Sequence, residues 1–251
     1  MVTAALVGST GQVVRTTTSH PSDQTYLTTT QGSSILTYLL AHPSFNSIYA
    51  YARRDLPNPT ASTKLNPIIS SDTSQWASIF PREMHPKILF SGLGTTRAAA
   101  GGVEGQRKVD YDLNMELARA AKDAGVETYV LISTTGASAT SRFAYPKMKG
   151  ELEESVKALK FKHTVILRPG FIAGDRTSRE SGVAEVALRW MAKGLGSVSL
   201  ALKNPWAQDG ELIARAAVAA GVRCLEGKRE EGVWEVGQSE IVSLGGALEK
   251  K

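Results

Sequence analysis

Residues 3–13 read TAALVGSTGQV, an apolar run that ends in the turn Gly8-Ser9-Thr10-Gly11. A short apolar run closed by glycines predicts a buried strand followed by a sharp reversal. Glycines at such a turn let bare backbone approach a pyrophosphate, whose charge is met by the N-terminus of the helix that follows. Here that helix is delayed. Residues 14–31, VRTTTSHPSDQTYLTTTQ, carry no apolar period, and the expected helix starts only near Gly32 with SSILTYLLAH, where Ile35, Leu36, Leu39 and Leu40 share one face.

Beyond this point strands and helices alternate. SIYAYARR (47–54), KILFSGLG (87–94), ETYVLIS (127–133) and HTVILRPG (163–170) read as strands. VDYDLNMELARAAKDAG (109–125) reads as a helix with Leu113, Leu117, Ala120 and Ala121 on one face and Gly125 as its stop, and YPKMKGELEESVKAL (145–159) as another. Strands separated by helices of this length predict a parallel sheet covered on both faces, a doubly wound α/β fold. After Gly170 the alternation loosens. SGVAEVALRWMAKG (181–194) and GELIARAAVAAGVRCLEG (210–227) look helical, SVSLAL (197–202) extended, and GVWEVGQSEIVSL (232–244) is expected to hold late strands. We expect one domain over 1–251, its residues 171–251 forming a C-terminal portion that closes over the sheet edge and bounds a substrate pocket.

Three further stretches carry chemistry. At the end of the second strand Arg53 and Arg54 precede Asp55. In dinucleotide folds an acid at this place binds the ribose 2′-hydroxyl, whereas Arg accommodates a 2′-phosphate. The two arginines therefore favour NADPH, and Asp55 is the feature that opposes it. FSGLGTTR (90–97) then brings Gly92, Leu93, Gly94 and Thr95 to the carboxyl edge of the sheet, where ligands of open α/β sheets bind. Finally, Tyr145 and Lys149 stand four apart at the start of a helix, on one face, after a strand that ends in Ser133, Thr134 and Thr135. A phenol has an ordinary pKa of about 10, and a neighbouring ammonium lowers it. Tyr145 can then exchange a proton with a carbonyl or hydroxyl oxygen that Ser133 also holds.

Composition narrows the alternatives. Of the residues, 42% are hydrophobic and 21% charged, with a net charge of +5. The basic residues are scattered, so no nucleic-acid partner is expected. Cys224 is the single cysteine, which excludes an internal disulfide and a cysteine-cluster metal site and fits a reduced compartment. No apolar run approaches the roughly 20 residues of a membrane span, so any membrane association is expected to be peripheral. His20, His42, His85 and His163 lack metal-ligand spacing, and no Gly-x-Ser-x-Gly elbow marks a hydrolase.

FSGLGTTRAAAGG, VDYDLNMELARAAKDAGVETYVLISTTGAS, FAYPKMKGELEESVKALKF and TVILRPGFIAGDR, in this order, resemble the atypical branch of the short-chain dehydrogenases/reductases. Within it, the chain is similar to a fungal family found in the mitochondrial proteome, peripheral at the outer membrane, and to the mammalian Tat-interactive oxidoreductase, an NADPH-binding regulator of nuclear import. The resemblance covers nearly all of the chain except residues 14–31. It implies a Rossmann fold with NADPH as cofactor, bound by Gly8, Ser9, Thr10, Gly11, Gln12, Gly32, Arg53, Arg54, Gly94 and Thr95. It also implies a catalytic trio of Ser133, Tyr145 and Lys149, with Thr134 as the alternative for the serine. Relatives that use the cofactor as a sensor make a silent regulatory or scaffold protein the alternative to a carbonyl reductase. Localisation is expected at the mitochondrial outer membrane, with the cytoplasm as the alternative. Neither a particular substrate nor an oligomeric state follows.

The resemblance explains the delayed helix. Removing residues 14–31 joins Gln12-Val13 to Gly32 and restores Gly-x-x-Gly-x-x-Gly running into the helix. Eighteen residues correspond to 54 nucleotides, Val14-Arg15 can be encoded as a splice donor, Leu27-Thr28 can spell a branch point, and Gln31 can be an acceptor CAG. The segment reads as a translated intron; the alternative is a surface insertion, for which each doubling of loop length costs only about 0.6 kcal/mol.

Overall fold

A computed structural model describes residues 1–9, 31–56, 58, 60–172, 207–208 and 210–247. Seven parallel strands form the main sheet in the order β3-β2-β1-β4-β5-β6-β9. They are β1 (Val2–Val7), β2 (Phe45–Ala52), β3 (Leu65–Ile69), β4 (Ile88–Ser91), β5 (Thr128–Ile132), β6 (His163–Leu167) and β9 (Gly232–Val236); β7 (Phe171–Ile172) and β8 (Ala207–Gln208) pair separately. The order reverses between β1 and β4, the place where doubly wound sheets open a ligand crevice. This is the doubly wound Rossmann arrangement expected from the alternation.

Side chains of successive strand residues point to opposite faces, and the core divides accordingly. Ala4, Leu6, Ile88, Phe90, Val165 and Leu167 pack with α1 (Gln31–Ala41) and α5 (Gly210–Leu225) on one face. Ala5, Val7, Leu89, Tyr129 and Leu131 pack on the other with α3 (Asn114–Asp123) and α4 (Ala144–Ala158). Of the residues expected on the inner faces of the helices near Gly32 and over 109–125, Ile35, Leu36, Leu39, Leu113, Leu117, Ala120 and Ala121 are buried, and Leu40 is partly buried.

The structure departs from the sequence expectations in four places. The helix expected over 109–125 is α2 (Val103–Arg107), a π-helical turn (Lys108–Leu113) and α3 in succession. Strand β3 was not anticipated: it carries Pro67, which the sheet accepts because β3 lies at the edge, where one row of amides needs no partner. Of the late strands expected over 232–244 only β9 forms. Beyond Gly237 the chain is α6 (Gln238–Ala247), whose buried Ile241, Leu244 and Gly245 follow the helical period. Lastly, the described part of the C-terminal portion is built into the body of the fold, with β9 hydrogen-bonded to β6 and α5 buried against β5, β6 and α1. Residues 10–30 and 173–206 lie outside the described residues, and with them the proposed insertion up to Thr30 and the two segments 181–194 and 197–202; α1 begins at Gln31, next to the expected start.

Candidate functional site

Gly8 ends β1 with φ +85°, in the left-handed region that glycine adopts without strain. A Cβ on Gly8 would lie 2.5 Å from the carbonyl carbon of Gly92 and 2.7 Å from the amide nitrogen of Leu93. The turn after β1 is thus pressed against the loop after β4, at the point where strand order reverses. Ser9 is buried, and its hydroxyl donates to the carbonyl of Tyr51 near the end of β2. Two residues further, Arg53 and Arg54 follow the end of β2, exposed together with Asp55. Gly32 lies in the first turn of α1. Thr10, Gly11 and Gln12 are outside the described residues. Gly8, Ser9, Arg53, Arg54, Gly94 and Thr95 therefore share the carboxyl edge around the crevice.

The Gly94–Thr95 loop is held from the helix behind it. The amide of Thr95 donates to Asp110 Oδ2 at 2.7 Å, and Gln106 Nε2 donates to the Thr95 carbonyl at 3.0 Å. Both side chains are buried. Asp110 belongs to the π-helical turn, and Asn114, also buried, donates to the carbonyls of Asp110 at 3.1 Å and Val109 at 3.3 Å and accepts from Ser91.

Tyr145 and Lys149 sit one turn apart at the start of α4, which the chain enters through the 133–143 loop. Gly150 makes that entry possible: a Cβ there would lie 2.2 Å from the Ser138 carbonyl carbon. Tyr145 is 39% exposed and Phe143, just ahead of it, 77%. Lys149 is only 2% exposed, with Nζ donating to the Ile132 carbonyl at 3.2 Å. Burial draws its ammonium below the usual lysine range, against the opposing pull of the Asp110 and Glu153 carboxylates.

Ser133 stands differently from its expected role. It is buried, and its hydroxyl donates to Glu153, one helical turn beyond Lys149. Glu153 is 1% exposed and pairs with Arg168, which in turn pairs with Glu235 at 2.6 Å; Lys157 joins the same Glu235 at 2.7 Å. The neighbouring hydroxyl of Thr134 is half-buried, with one long contact of 3.4 Å to the Thr135 carbonyl. Main-chain bonds from Ser133 to Leu167 and from Thr135 to Pro169, both 2.8 Å, pin this loop to the end of β6.

Reading from sequence missed Asp110, Gln106, Glu153 and Arg168. Glu153 had a visible signal, since it falls on the apolar stripe Met148–Leu152–Val156 of α4, four residues after Lys149. Asp110 had one too, since it falls three residues before Leu113 and seven before Leu117 on the same buried face. A cavity of about 450 Å³ opens at the opposite, amino edge of the sheet, lined by Lys87, Glu127, Lys162, His163 and Arg229. It contains no residue of the site. Among the described residues no cluster suits a metal ion, and no helix is long and apolar enough to cross a membrane.

A glycine turn after the first strand and a crevice at the strand-order reversal define a Rossmann-type protein. Solved structures agree on the fold. A short-chain dehydrogenase family protein from Francisella tularensis aligns over 96% of this chain and 98% of its own with a TM-score of 0.60 and 11% identity. The Bordetella bronchiseptica enzyme WbmH, in complex with NAD+, aligns over 94% of this chain and 75% of its own, with a TM-score of 0.55 and 13% identity. Residues 63–189 match the family described as HIM1. The chain is also 47% identical over 251 residues to "Protein fmp52-1, mitochondrial" of Aspergillus terreus, spanning 98% of this chain and 99% of that one. The chain belongs to this FMP52 family.

Proposed function

We propose that this chain is an NADPH-binding reductase of the atypical short-chain type that reduces a carbonyl compound. The observation that carries the reading is the juxtaposition on one sheet edge of the Gly8 turn, packed on the Gly92–Leu93 loop, with the Arg53–Arg54 pair after β2. The two guanidinium groups suit a 2′-phosphate, and the glycine turn admits a pyrophosphate. The cofactor, when bound, supplies a hydride to the carbonyl carbon. Tyr145 gives the carbonyl oxygen its proton. Lys149 would lower the cost of the resulting phenolate and would hold the cofactor ribose. The hydroxyl that holds the substrate oxygen is Thr134 in this reading, because the proton of Ser133 already goes to Glu153; Ser133 then positions the loop.

The same engagement of Ser133 favours a second reading, a silent NADPH-binding regulatory or scaffold protein. Fluorescence titration with NADPH and NADH, followed by turnover with a panel of aldehydes, ketones and quinones, separates the two. NADPH-selective binding with turnover lost in Tyr145→Phe supports the reductase; binding without turnover in either protein supports the regulator. Absence of NADPH binding refutes both. The names of the relatives point to mitochondria, and we place the chain peripherally at the outer membrane. Carbonate extraction of isolated organelles, followed by protease treatment of intact ones, tests this: an extractable, protease-accessible protein is expected, and an extractable but protected one refutes it.

A further inference from the structure

Thr134 stands between two residues whose side chains are already committed. Ahead of it, the Ser133 hydroxyl donates to the buried carboxylate of Glu153, and the Ser133 amide donates to the Leu167 carbonyl at 2.8 Å. After it, the Thr135 hydroxyl donates to the Arg168 carbonyl at 3.1 Å, and the Thr135 amide to the Pro169 carbonyl at 2.8 Å. One residue earlier, the Ile132 carbonyl accepts from Lys149 Nζ at 3.2 Å. Of the three hydroxyls in Ser133, Thr134 and Thr135, only that of Thr134, with its long contact of 3.4 Å, is left to meet a ligand.

Both holds lead to Arg168. Its Nε donates to the two oxygens of Glu153 at 3.2 Å, and its Nη2 donates to the same carboxylate. Nη1 donates to Glu235 on β9 at 2.6 Å, and the Arg168 amide donates to the Val236 carbonyl of the same strand at 2.9 Å. A guanidinium is a rigid planar fork that grips two carboxylates in fixed geometry, whereas an ammonium is a point charge on a flexible stem. Arg168 therefore reaches Ser133 through Glu153 and Thr135 through its own carbonyl, while it is itself anchored on β9.

We propose that Arg168 is a positioning residue for carbonyl reduction, fixing Thr134 from both sides so that its hydroxyl meets the substrate oxygen. The proposal rests on the reductase reading above. Arg168 acts only through its neighbours, and the precision it supplies is what the reaction needs: a group misplaced by about 1 Å can cost about a hundredfold in rate. The same arrangement withholds Ser133, whose proton Glu153 takes, so the substrate oxygen meets one hydroxyl of this loop rather than two.

The full chain with Arg168→Lys, Thr134→Val and the pair is assayed with NADPH and an ortho-quinone, phenanthrenequinone, as the carbonyl. Lys keeps a positive charge beside the buried Glu153 but loses the fork that joins it to Glu235. Thr134→Val is expected to lower kcat about a hundredfold by removing the donor. Arg168→Lys is expected to lower kcat about tenfold by misplacing that donor, with the KM for the quinone and the Kd for NADPH unchanged. The pair should be no slower than Thr134→Val alone, because the group that Arg168 positions is then absent. A further loss of about tenfold in the pair overturns the proposal, since a merely structural role lowers turnover whatever stands at position 134. Methyl relaxation of Thr134 in the cofactor-free protein is independent of any turnover. The methyl is expected to be rigid on the picosecond-to-nanosecond scale in the natural chain and mobile in Arg168→Lys and in Thr135→Val, which lacks the hydroxyl given to Arg168. A methyl that stays rigid in Arg168→Lys overturns the proposal. If the natural chain reduces no carbonyl, the reductase reading fails, and the relaxation result alone decides whether Arg168 holds Thr134.

Discussion

Replacing Gly8 by Ala tests whether the turn after β1 is as tightly built as its geometry says. Two separable effects act there. A φ of +85° strains a residue with a Cβ by about 1–2 kcal/mol. The new methyl would also stand 2.5 Å from a backbone carbon of Gly92, and backbone cannot rotate away as a side chain would, which adds about 1–3 kcal/mol. The sum, about 2–5 kcal/mol, corresponds to a fall in Tm of about 5–15 °C for a chain of this size. Two other glycines isolate the effects. Gly125 has φ +79° with nothing within 4 Å, so Gly125→Ala carries the backbone strain alone and should cost about 1–2 kcal/mol. Gly150 has no such strain but would press its Cβ to 2.2 Å from Ser138, an overlap of about 1–3 kcal/mol that the better helix propensity of Ala offsets by about 1 kcal/mol. Thermal unfolding followed by circular dichroism, with urea titration for the free energies, ranks the three. Should Gly8→Ala unfold no more easily than Gly125→Ala, the close contact of the β1 and β4 loops is refuted, and with it the crevice drawn from it.

Glu153→Ala removes the buried partner of an ion pair, leaving Arg168 its pairing with Glu235 alone and the Ser133 hydroxyl without its acceptor; a loss of about 3 kcal/mol in urea unfolding is expected, against about 1 kcal/mol for Ser133→Ala, where Arg168 keeps both partners. A comparable loss in both variants would contradict the network as described. The carboxyl of Glu235 is held below its usual range by hydrogen bonding to Lys157, with Arg168 adding its charge. Its contribution to stability is therefore complete above the unfolded carboxylate value of about 4.3 and is lost as pH falls through the lower folded value. Melting between pH 7 and pH 3 should show a shallower acid decline for Glu235→Gln than for the natural chain, and parallel curves would count against the pairing. Deleting residues 14–31 returns Gly32 to the phosphate turn, and tighter NADPH binding is expected in fluorescence titration; equal dissociation constants would refute the view that the segment separates the turn from its helix.

Much of this architecture is local in origin and can be read along the chain. Alternating apolar runs and helical stripes, closed by glycines such as Gly8 and Gly125, specify parallel strands with helices on both faces, because burial of period-2 and period-3.6 surfaces leaves few other arrangements. Carboxyl-edge placement of Arg53, Thr95 and the Tyr145–Lys149 pair follows from the same pattern. Tertiary structure alone decided what those groups meet. Helical spacing puts Asp110 on the buried face with Leu113 and Leu117, but nothing along the chain announces that its carboxylate meets the Thr95 amide, 15 residues away. Nor does any local rule give the proton of Ser133 to Glu153, 20 residues away. Hydrogen bonding in a buried site depends on which atoms packing brings within about 3 Å, and that distance is set by the sheet and its helices together.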